Sequence, residues 1–339
     1  MSDIPTTMNA LQLSAYEGLD ALELVKKEVP TPREGQVLVK VEAAAVNPSD
    51  LMFMRNLYGF SKPLPTVPGF EASGVVVAGE GAYARWLVGK RVACGVQEKG
   101  DGTWAQYVLV DTMMCLPLLK RVTLEQGAML LVNPFTAWGL VERARQGSHR
   151  AVVQSAAASA LGRMVLQLGK RFKLPMVHVV RREEQVELLR GLGAEHVLNS
   201  SDANFDSELK EVCHALGATL AFDAVAGDMP QRLLYGMPRG SKVLVYGALS
   251  EEPVRVDPRG LIFEDQRVEG FWLSDYLGNL ALPNFLLRTV RVQRALGTDL
   301  RADIRGQYSL EDAVDGIRDY EQAMTSGKIL ITPNGAVSS

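Results

Sequence analysis

The chain of 339 residues is long enough for about two domains. Its net charge of −3 excludes the strongly basic surface that nucleic acids and anionic membranes attract, so we expect neither as a partner. The apolar runs are too short to cross a bilayer, the start lacks the pattern of a signal peptide, and the three cysteines have no metal-like spacing, so we expect a cytoplasmic protein.

Short strands and turns alternate in the first third of the chain. Each apolar run is brief, and prolines and glycines separate it from the next one. The predicted strands cover residues 10–13, 22–25, 37–41, 74–77, 91–93 and 104–110. This pattern predicts a compact β-rich domain of barrel type that ends near residue 122.

From about residue 123 onward, helices and strands alternate. The predicted strands cover residues 151–153, 176–180, 196–198, 220–225, 242–246 and 267–273. The predicted helices cover residues 124–144, 184–192, 207–216, 230–236 and 280–296, and another helix separates the first two strands. Alternation on this scale predicts an α/β fold with a doubly wound parallel sheet. The tail, residues 308–331, returns to one helix and a short apolar run.

A turn of small residues, 155–162, precedes the helix between the first two of these strands. Small residues let a ligand approach the backbone, and a helix N-terminus attracts phosphate, so a dinucleotide is the expected ligand. Ala156 and Ser159 stand where the usual glycines are expected, and only Gly162 remains. The turn alone is equally compatible with an ordinary crossover whose small residues only let helix and sheet pack.

Two arginines, Arg181 and Arg182, follow the second strand of this unit. A site for NAD typically carries an acidic residue there for the ribose hydroxyl, whereas guanidinium groups suit a 2′-phosphate. The alternative is a solvated first turn of the next helix, but cations oppose the dipole at a helix N-terminus. The pair therefore favours NADPH over NADH.

Four short segments resemble landmarks of the medium-chain dehydrogenase/reductase superfamily: residues 47–50, 68–74, 192–194 and 327–329. Zinc alcohol dehydrogenases of that superfamily carry a cysteine near the first landmark and a histidine in the second. This chain has Asn47 and Phe70 there, and residues 1–148 contain no histidine. Since catalytic zinc requires thiolate, imidazole and carboxylate ligands, we expect no metal and a place in the zinc-free, quinone-oxidoreductase-like branch.

A narrower resemblance rests on residues 57–60, 132–138, 154–162, 180–182, 261–265 and 270–274. Together they are similar to the mitochondrial-type 2-enoyl thioester reductases, which reduce trans-2-enoyl-CoA or enoyl-acyl-carrier-protein with NADPH. Two departures stand out. The turn lacks the glycine of that family, and Glu183 stands where another arginine is often found, so phosphate contacts are expected to be fewer.

This resemblance implies site residues. Tyr58 would be the proton donor, although by itself a tyrosine in a glycine-containing loop more often anchors the loop. The residues implied around NADPH are Asn133, Ala158, Ser159, Ala160, Leu161, Arg181, Arg182, Tyr246, Gly247, Ala248, Leu249, Phe271, Trp272, Leu273 and Lys328.

Three of the candidate residues have a second interpretation. Asn47 either orients the nicotinamide or caps a helix that starts at Pro48. Thr136 either touches the cofactor or packs at a helix start, and Lys328 either contacts phosphate or is a surface lysine.

The resemblance also implies domains and an activity. A GroES-like β-rich catalytic domain would comprise residues 1–122 and 297–339, and a Rossmann NADP-binding domain residues 123–296. The expected reaction is NADPH-dependent reduction of an α,β-unsaturated thioester, carried by CoA or acyl carrier protein. The alternatives are a quinone, alkenal or enone oxidoreductase acting on a small molecule, and an inactive NADPH-binding structural or regulatory protein. A strand at residues 267–273 that pairs with its twin at the sheet edge would give a homodimer.

Overall fold

Two units make up the computed structural model, which describes residues 4–96 and 98–335. Unit 1 comprises the described residues up to Asn133 together with those from Thr289 onward, and unit 2 is Pro134–Arg288. The sequence had placed these divisions at residues 122/123 and 296/297. Across the described ranges, no helix has both the length and the apolar character that a membrane span needs.

The strands of both units are short, as their spacing predicts. In chain order they are β1 (Thr7–Leu13), β2 (Leu22–Glu28), β3 (Gln36–Ala45), β4 (Glu71–Glu80), β5 (Arg91–Gly95), β6 (Tyr107–Asp111), β7 (Cys115–Pro117), β8 (Ala151–Gln154), β9 (Met176–Val180), β10 (His196–Asn199), β11 (Ala218–Asp223), β12 (Lys242–Val245), β13 (Arg267–Gly270), β14 (Ile304–Tyr308) and β15 (Lys328–Ile331).

Most of the helices lie between the strands of the second half. In chain order they are α1 (Pro48–Met54), α2 (Ala82–Leu87), α3 (Leu124–Gly127), α4 (Asn133–Gln146), α5 (Ala160–Phe172), α6 (Glu183–Gly191), α7 (Phe205–Leu216), α8 (Met229–Gly236), α9 (Pro258–Phe263), α10 (Leu273–Gly278), α11 (Leu282–Ala295) and α12 (Ala313–Gln322). Two 3-10 turns, Gly18–Ala21 and Thr112–Met114, precede β2 and β7.

The largest sheet of unit 1 is organised around β3. Its strand order is β14-β15-β3-β4-β5-β7, and β6 also pairs with β3. The valines Val37, Val39 and Val41, which alternate to one face of β3, are fully buried in the core of this unit. The late strand β15 pairs with the end of β3, opposite Ala44 and Ala45, and so reaches the residues that precede α1.

Unit 2 contains a six-stranded parallel sheet. Its order, β10-β9-β8-β11-β12-β13, is that of the doubly wound dinucleotide-binding folds, and every strand pair is parallel. The five residues of β9 are all buried, which is why this strand reads as a continuous apolar run. The strand order reverses between β8 and β11. The predicted parallel α/β sheet is therefore confirmed.

Gly162 is required by packing in the first βαβ unit. A Cβ built on it would lie 2.5 Å from the carbonyl oxygen of Ala157, a distance that no side chain tolerates without a backbone shift. The other two glycine positions of the motif carry side chains: Ala156 adopts φ 47°, in the left-handed region that favours glycine, and Ser159 caps the helix. Close approach of helix and turn therefore explains why this glycine persists.

One predicted strand and one predicted helix show where the structure departs from the sequence pattern. The strand predicted at residues 267–273 ends at Gly270, because α10 begins at Leu273. The helix predicted at residues 124–144 is two helices, α3 and α4. The N–H groups of Leu131 and Val132, in the segment between them, donate to the side chain of Glu71 instead of to helix carbonyls.

A buried polar pair links β8, β9 and the start of α5. The amide nitrogen of Gln154 lies 2.7 Å from Nδ1 of His178 and donates to the carbonyl oxygen of Gly162 at 3.0 Å. His178 is 1% exposed, and burial together with the charge of His196 lowers its pKa to about 4. The folded protein therefore holds His178 neutral over most of the physiological range.

This burial predicts a loss of stability in mild acid. In the unfolded chain His178 titrates near pH 6.5, so the unfolded state gains a proton between pH 6.5 and 4 while the folded state does not. At pH 5 the loss is about 2 kcal/mol. Urea unfolding at pH 7.5 and pH 5 measures this loss. Between the two pH values, the free energy of unfolding should fall by about 2 kcal/mol more in wild type than in His178→Gln.

The exposed His214 on α7 supplies the control substitution, His214→Gln, which should keep the pH dependence of wild type. Identical pH dependence in wild type and His178→Gln would contradict the assignment.

Candidate active site

Polar side chains mark the edge of unit 2 where β8 and β11 end. Ser155, directly after β8, donates its hydroxyl to the carboxylate of Asp223, the last residue of β11. Asp223 also accepts the N–H of Ala226 at 2.7 Å, and the Ser155 oxygen accepts the N–H of Ala224 at 2.9 Å. Burial raises the pKa of Asp223, and these donors oppose the shift. The carboxylate thus holds the turn after β11 at the strand-order reversal, where ligands of such sheets bind.

The predicted phosphate-binding turn has the geometry of a capped helix N-terminus. Ser159 is the N-cap of α5, and its Oγ accepts the N–H of Gly162 at 3.0 Å. The N–H groups of Ala160 and Leu161 lie in the first turn, where an α-helix offers them no acceptor of its own. Ala158, before the cap, is buried. Residues 158–161 can therefore present backbone donors and the positive helix end to an anion.

The predicted stretch 246–249 lies at the end of β12, which is separated from β8 in the sheet by β11. The N–H of Tyr246 donates to the carbonyl oxygen of Asp223 at 2.8 Å, whereas its buried hydroxyl has no hydrogen-bond partner among the described residues. A Cβ built on Gly247 would lie 2.9 Å from the carbonyl oxygen of Ala224. An unsatisfied buried hydroxyl and a backbone without a side chain both fit a bound cofactor.

The two predicted arginines follow β9 and are exposed. The backbone of Arg181 is fixed on both sides, since its N–H donates to Gln185 Oε1 at 3.2 Å and its carbonyl accepts the hydroxyl of Ser201 at 2.9 Å. The guanidinium of Arg182 pairs with the carboxylate of Glu184 at 2.8 Å. The positive charge of Arg182, one of the two expected phosphate ligands, is thus partly neutralised by a carboxylate of α6.

The stretch Phe271, Trp272 and Leu273 follows β13 and is held against α4. Phe271 and Tyr276 pack against Gly139, where a Cβ would lie 2.9 Å from each ring. The hydroxyl of Tyr276 donates to Glu142 at 2.6 Å, and Arg288 pairs with the same carboxylate at 2.9 Å. A half-buried ionic cluster therefore fixes the segment that includes Trp272, whose ring is 37% exposed.

The structure brings most of the predicted cofactor residues to one edge. The turn after β8, the arginines after β9, and the stretches after β12 and β13 all follow the carboxyl ends of parallel strands of unit 2. Thr136, a buried residue of α4, belongs to the same unit. Asn47, Tyr58, Asn133 and Lys328 belong to unit 1.

In unit 1, four side chains form a buried polar network around Asn47. The amide nitrogen of Asn47 donates to Glu71 Oε1 at 2.9 Å, and its amide oxygen accepts the ammonium of Lys328 at 2.6 Å. Lys328 also donates to the carbonyl of Val46. Asp50 accepts the backbone N–H of Asn47 at 2.8 Å, as an acid in the first turn of a capped helix does. Asn47 therefore caps α1, and Lys328, at 1% exposure, is not a surface lysine.

Burial dominates the electrostatics of this network. It raises the pKa of Asp50 to about 7 and also raises that of Glu71, while backbone N–H donors and the ammonium of Lys328 oppose both shifts. It lowers the pKa of Lys328 to about 8, against the attraction of both carboxylates. Two acids and one base thus lie together, shielded from bulk solvent.

These residues do not suit a zinc site. Asn47 and Phe70 stand where the zinc alcohol dehydrogenases carry thiolate and imidazole, and the side chain of Phe70 has no donor atom. Both oxygens of Glu71 accept N–H groups, and the ammonium of Lys328 already supplies a cation. Throughout residues 4–96 and 98–335, no group of three or more histidine, cysteine or acidic side chains could hold a metal ion.

Tyr58 lies in an aromatic cluster after α1. Its ring centroid is 4.8 Å from that of Phe70 and 5.1 Å from that of Phe60, and Phe53 packs against both phenylalanines. The ring is half-buried, so these contacts anchor the loop of Tyr58 on unit 1. Its role as a proton donor stays a prediction.

Several residues that shape the site were not predicted. The sequence does contain a signal that could have identified Ser155 and Asp223, since both are polar residues at the carboxyl ends of buried strands. Glu142 had none, because its partners Tyr276 and Arg288 lie 134 and 146 residues away in the chain. Long-range partners of this kind leave no local pattern.

Sequence models of two families match the chain. The alcohol dehydrogenase GroES-like domain matches residues 33–120, and the zinc-binding dehydrogenase family matches residues 160–288. The α/β fold with a GroES-like domain and a Rossmann-type domain is thereby confirmed. The second family is named for zinc, which the donor set around Asn47 does not suit.

Individual relatives agree with these matches. The chain is 31% identical over 254 residues to the mitochondrial enoyl-[acyl-carrier-protein] reductase of Arabidopsis thaliana, over 72% of this chain and 66% of that protein. It is 30% identical to the human enzyme of the same name, over 75% and 69% of the two chains. A solved structure from Mesorhizobium loti, of a candidate NADPH:quinone reductase, is 33% identical, covers 98% of this chain and 100% of its own, and has a TM-score of 0.91. The chain therefore belongs to the quinone-oxidoreductase-like family of the medium-chain dehydrogenase/reductase superfamily and is an oxidoreductase.

Proposed function

We propose that the protein reduces the C2=C3 double bond of 2-enoyl thioesters with NADPH and without zinc. The observation that carries the proposal is one edge of the parallel sheet of unit 2. A capped helix N-terminus, a glycine with no room for a side chain, a tyrosine hydroxyl without a hydrogen-bond partner among the described residues, and two guanidinium groups follow strands of this sheet. The names of the plant and human relatives support the thioester as substrate.

Two groups of residues would bind the phosphates of NADPH. Arg181 and Arg182 would bind the 2′-phosphate, and the backbone of residues 158–161 would bind the pyrophosphate. The remaining proposed contacts are Asn47, Asn133, Thr136, Tyr246, Gly247, Ala248, Leu249, Phe271, Trp272, Leu273 and Lys328.

The chemistry needs one hydride, one proton and a stabilised enolate. When bound, NADPH supplies the hydride that adds to the β-carbon. Tyr58 would give its phenolic proton to the α-carbon, directly or through a water molecule, and would recover a proton from solvent. A tyrosine hydroxyl is protonated at neutral pH, which suits this role.

A quinone or enone is the second candidate substrate. The structure from Mesorhizobium loti, a candidate NADPH:quinone reductase with a TM-score of 0.91, favours it. A quinone demands less of Tyr58, because protonation of a quinone oxygen needs no positioned donor at carbon. The same fold without activity, as an NADPH-binding structural or regulatory protein, is the third candidate.

Substitution of Tyr58 distinguishes these candidates. We expect Tyr58→Phe to lower kcat with crotonyl-CoA about 100-fold, because the proton donor is lost, while the Kd for NADPH stays unchanged. NADPH oxidation is followed with crotonyl-CoA, a simple enone and a quinone, each with a metal chelator present that should leave the rates unaltered.

Tyr83→Phe is the matched control, since Tyr83 stacks on Trp86 and is half exposed. Full thioester turnover by Tyr58→Phe would refute the proton-donor role. Turnover of the quinone alone would support the second candidate, and NADPH binding without turnover of any acceptor would support the third.

The pairing of Arg182 with Glu184 predicts a gain in NADPH affinity on removal of the carboxylate. We expect Glu184→Gln to lower the Kd for NADPH about threefold, the scale of an exposed ion pair, and to leave the Kd for NADH unchanged. Fluorescence titration of wild type and Glu184→Gln with NADPH and with NADH measures the change in each Kd.

Glu183→Gln removes the neighbouring negative charge. It controls for a general change of the electrostatic potential around the two arginines. Equal effects of the two substitutions would show that Glu184 does not compete with phosphate for Arg182.

We further propose a homodimer through β13. This strand lies at the edge of the sheet of unit 2, where its outer backbone groups can pair with a twin strand. Light scattering should give twice the 37.0 kDa mass of one chain, and the mass of a single chain would rule the dimer out.

A further inference from the structure

One buried carboxylate connects two segments that we propose as cofactor contacts. Glu71, 1% exposed at the start of β4, divides its two oxygens between them. Oε1 accepts the side-chain amide of Asn47 at 2.9 Å. Oε2 accepts the backbone N–H groups of Leu131 and Val132 at 2.8 and 3.0 Å. Val132 directly precedes Asn133, the first residue of α4.

The opposite end of the Asn47 amide is held by Lys328. The ammonium lies 2.6 Å from the amide oxygen and also donates to the carbonyl of Val46. Because a carboxylate accepts only and an ammonium donates only, the amide of Asn47 has one permitted orientation, with its nitrogen toward Glu71 and its oxygen toward Lys328. The nitrogen and oxygen of an asparagine amide are often hard to tell apart, but here the opposite charges of Glu71 and Lys328 decide which is which.

The same two residues compensate each other electrostatically. Both are fully buried, and a buried charge without a partner is strongly unfavourable. Removal of either one therefore damages folding whatever its role in function. A test of function must therefore separate two effects of a substitution: an unpaired buried charge, and a displaced Asn47 amide or Asn133 segment.

We propose that Glu71 and Lys328 are positioning residues that act as a pair, fixing the Asn47 amide and the residues leading into Asn133 in the geometry that NADPH requires. The inference rests on the proposed function, because it takes Asn47 and Asn133 as cofactor contacts. Glu71 acts only through Asn47 and the residues before Asn133, whereas Lys328, itself a proposed NADPH contact, also acts through the Asn47 amide.

The double variant Glu71→Gln with Lys328→Met separates the two effects. Each single substitution should lower the urea midpoint of unfolding, and the double variant should recover much of the loss, since no charge is left unpaired. The Kd for NADPH of the double variant should nevertheless be about tenfold higher than that of wild type, the scale of one or two lost hydrogen bonds. Recovery of NADPH affinity together with stability would overturn the proposal.

A second variant decides the matter if the double variant does not fold. Glu71→Asp keeps the charge but is one methylene shorter, so it cannot reach both the Asn47 amide and the Leu131 and Val132 amides. We expect the Kd for NADPH to rise at least about threefold with most of the stability kept. An unchanged Kd in Glu71→Asp would likewise overturn the proposal.

The control is Glu321→Gln, which breaks the pair of Arg55 and Glu321 at 2.6 Å in the same unit and should leave the Kd for NADPH unaltered. Since NADPH affinity is the readout, the test does not depend on the substrate. Wild type that binds NADPH but reduces no enoyl thioester would refute the proposed substrate and leave this comparison intact.

Discussion

Burial of charge governs the arrangement of unit 1. Asp50, Glu71 and Lys328 lie out of water around Asn47, and each is stable there only because the others and nearby backbone N–H groups replace the lost solvent. Their partners come from the residues before α1, the start of β4, the segment before α4 and the strand β15. Breaking such a buried pair by removing one partner typically costs about 3–5 kcal/mol, a large part of the stability of a domain.

The parallel sheet of unit 2 was predictable because its signals are local. Buried parallel strands such as β9 are short continuous apolar runs, and α5 between β8 and β9 shows helical spacing with a serine at its cap. The doubly wound class of the sheet was accessible from the alternation of elements, since right-handed crossovers leave few topologies. The end of β13 at Gly270 was not predictable, because Phe271 and Trp272 continue the apolar run and the strand stops only because α10 begins at Leu273.

The candidate site was predictable in part, and the division has a physical cause. Groups placed by a strand end, such as Ser159, Arg181 and Tyr246, could be located from their position after an apolar run. Lys328 was named through the resemblance, but its burial could not be foreseen, because it depends on a pairing with Asn47 across 281 residues of chain. Side chains positioned by distant partners carry no sign of this in their own neighbourhood.

The return of β15 to the end of β3 has a consequence for biosynthesis. On the ribosome, Asp50 and Glu71 emerge some 250 residues before the ammonium that balances them, whereas the strands of unit 2 are contiguous in the chain. The middle of the polypeptide can therefore collapse into its native sheet first, while the leading segment waits, incompletely neutralised, for the final strand. We therefore expect the leading segment to stay open to chaperones and proteases for longer than the middle of the chain.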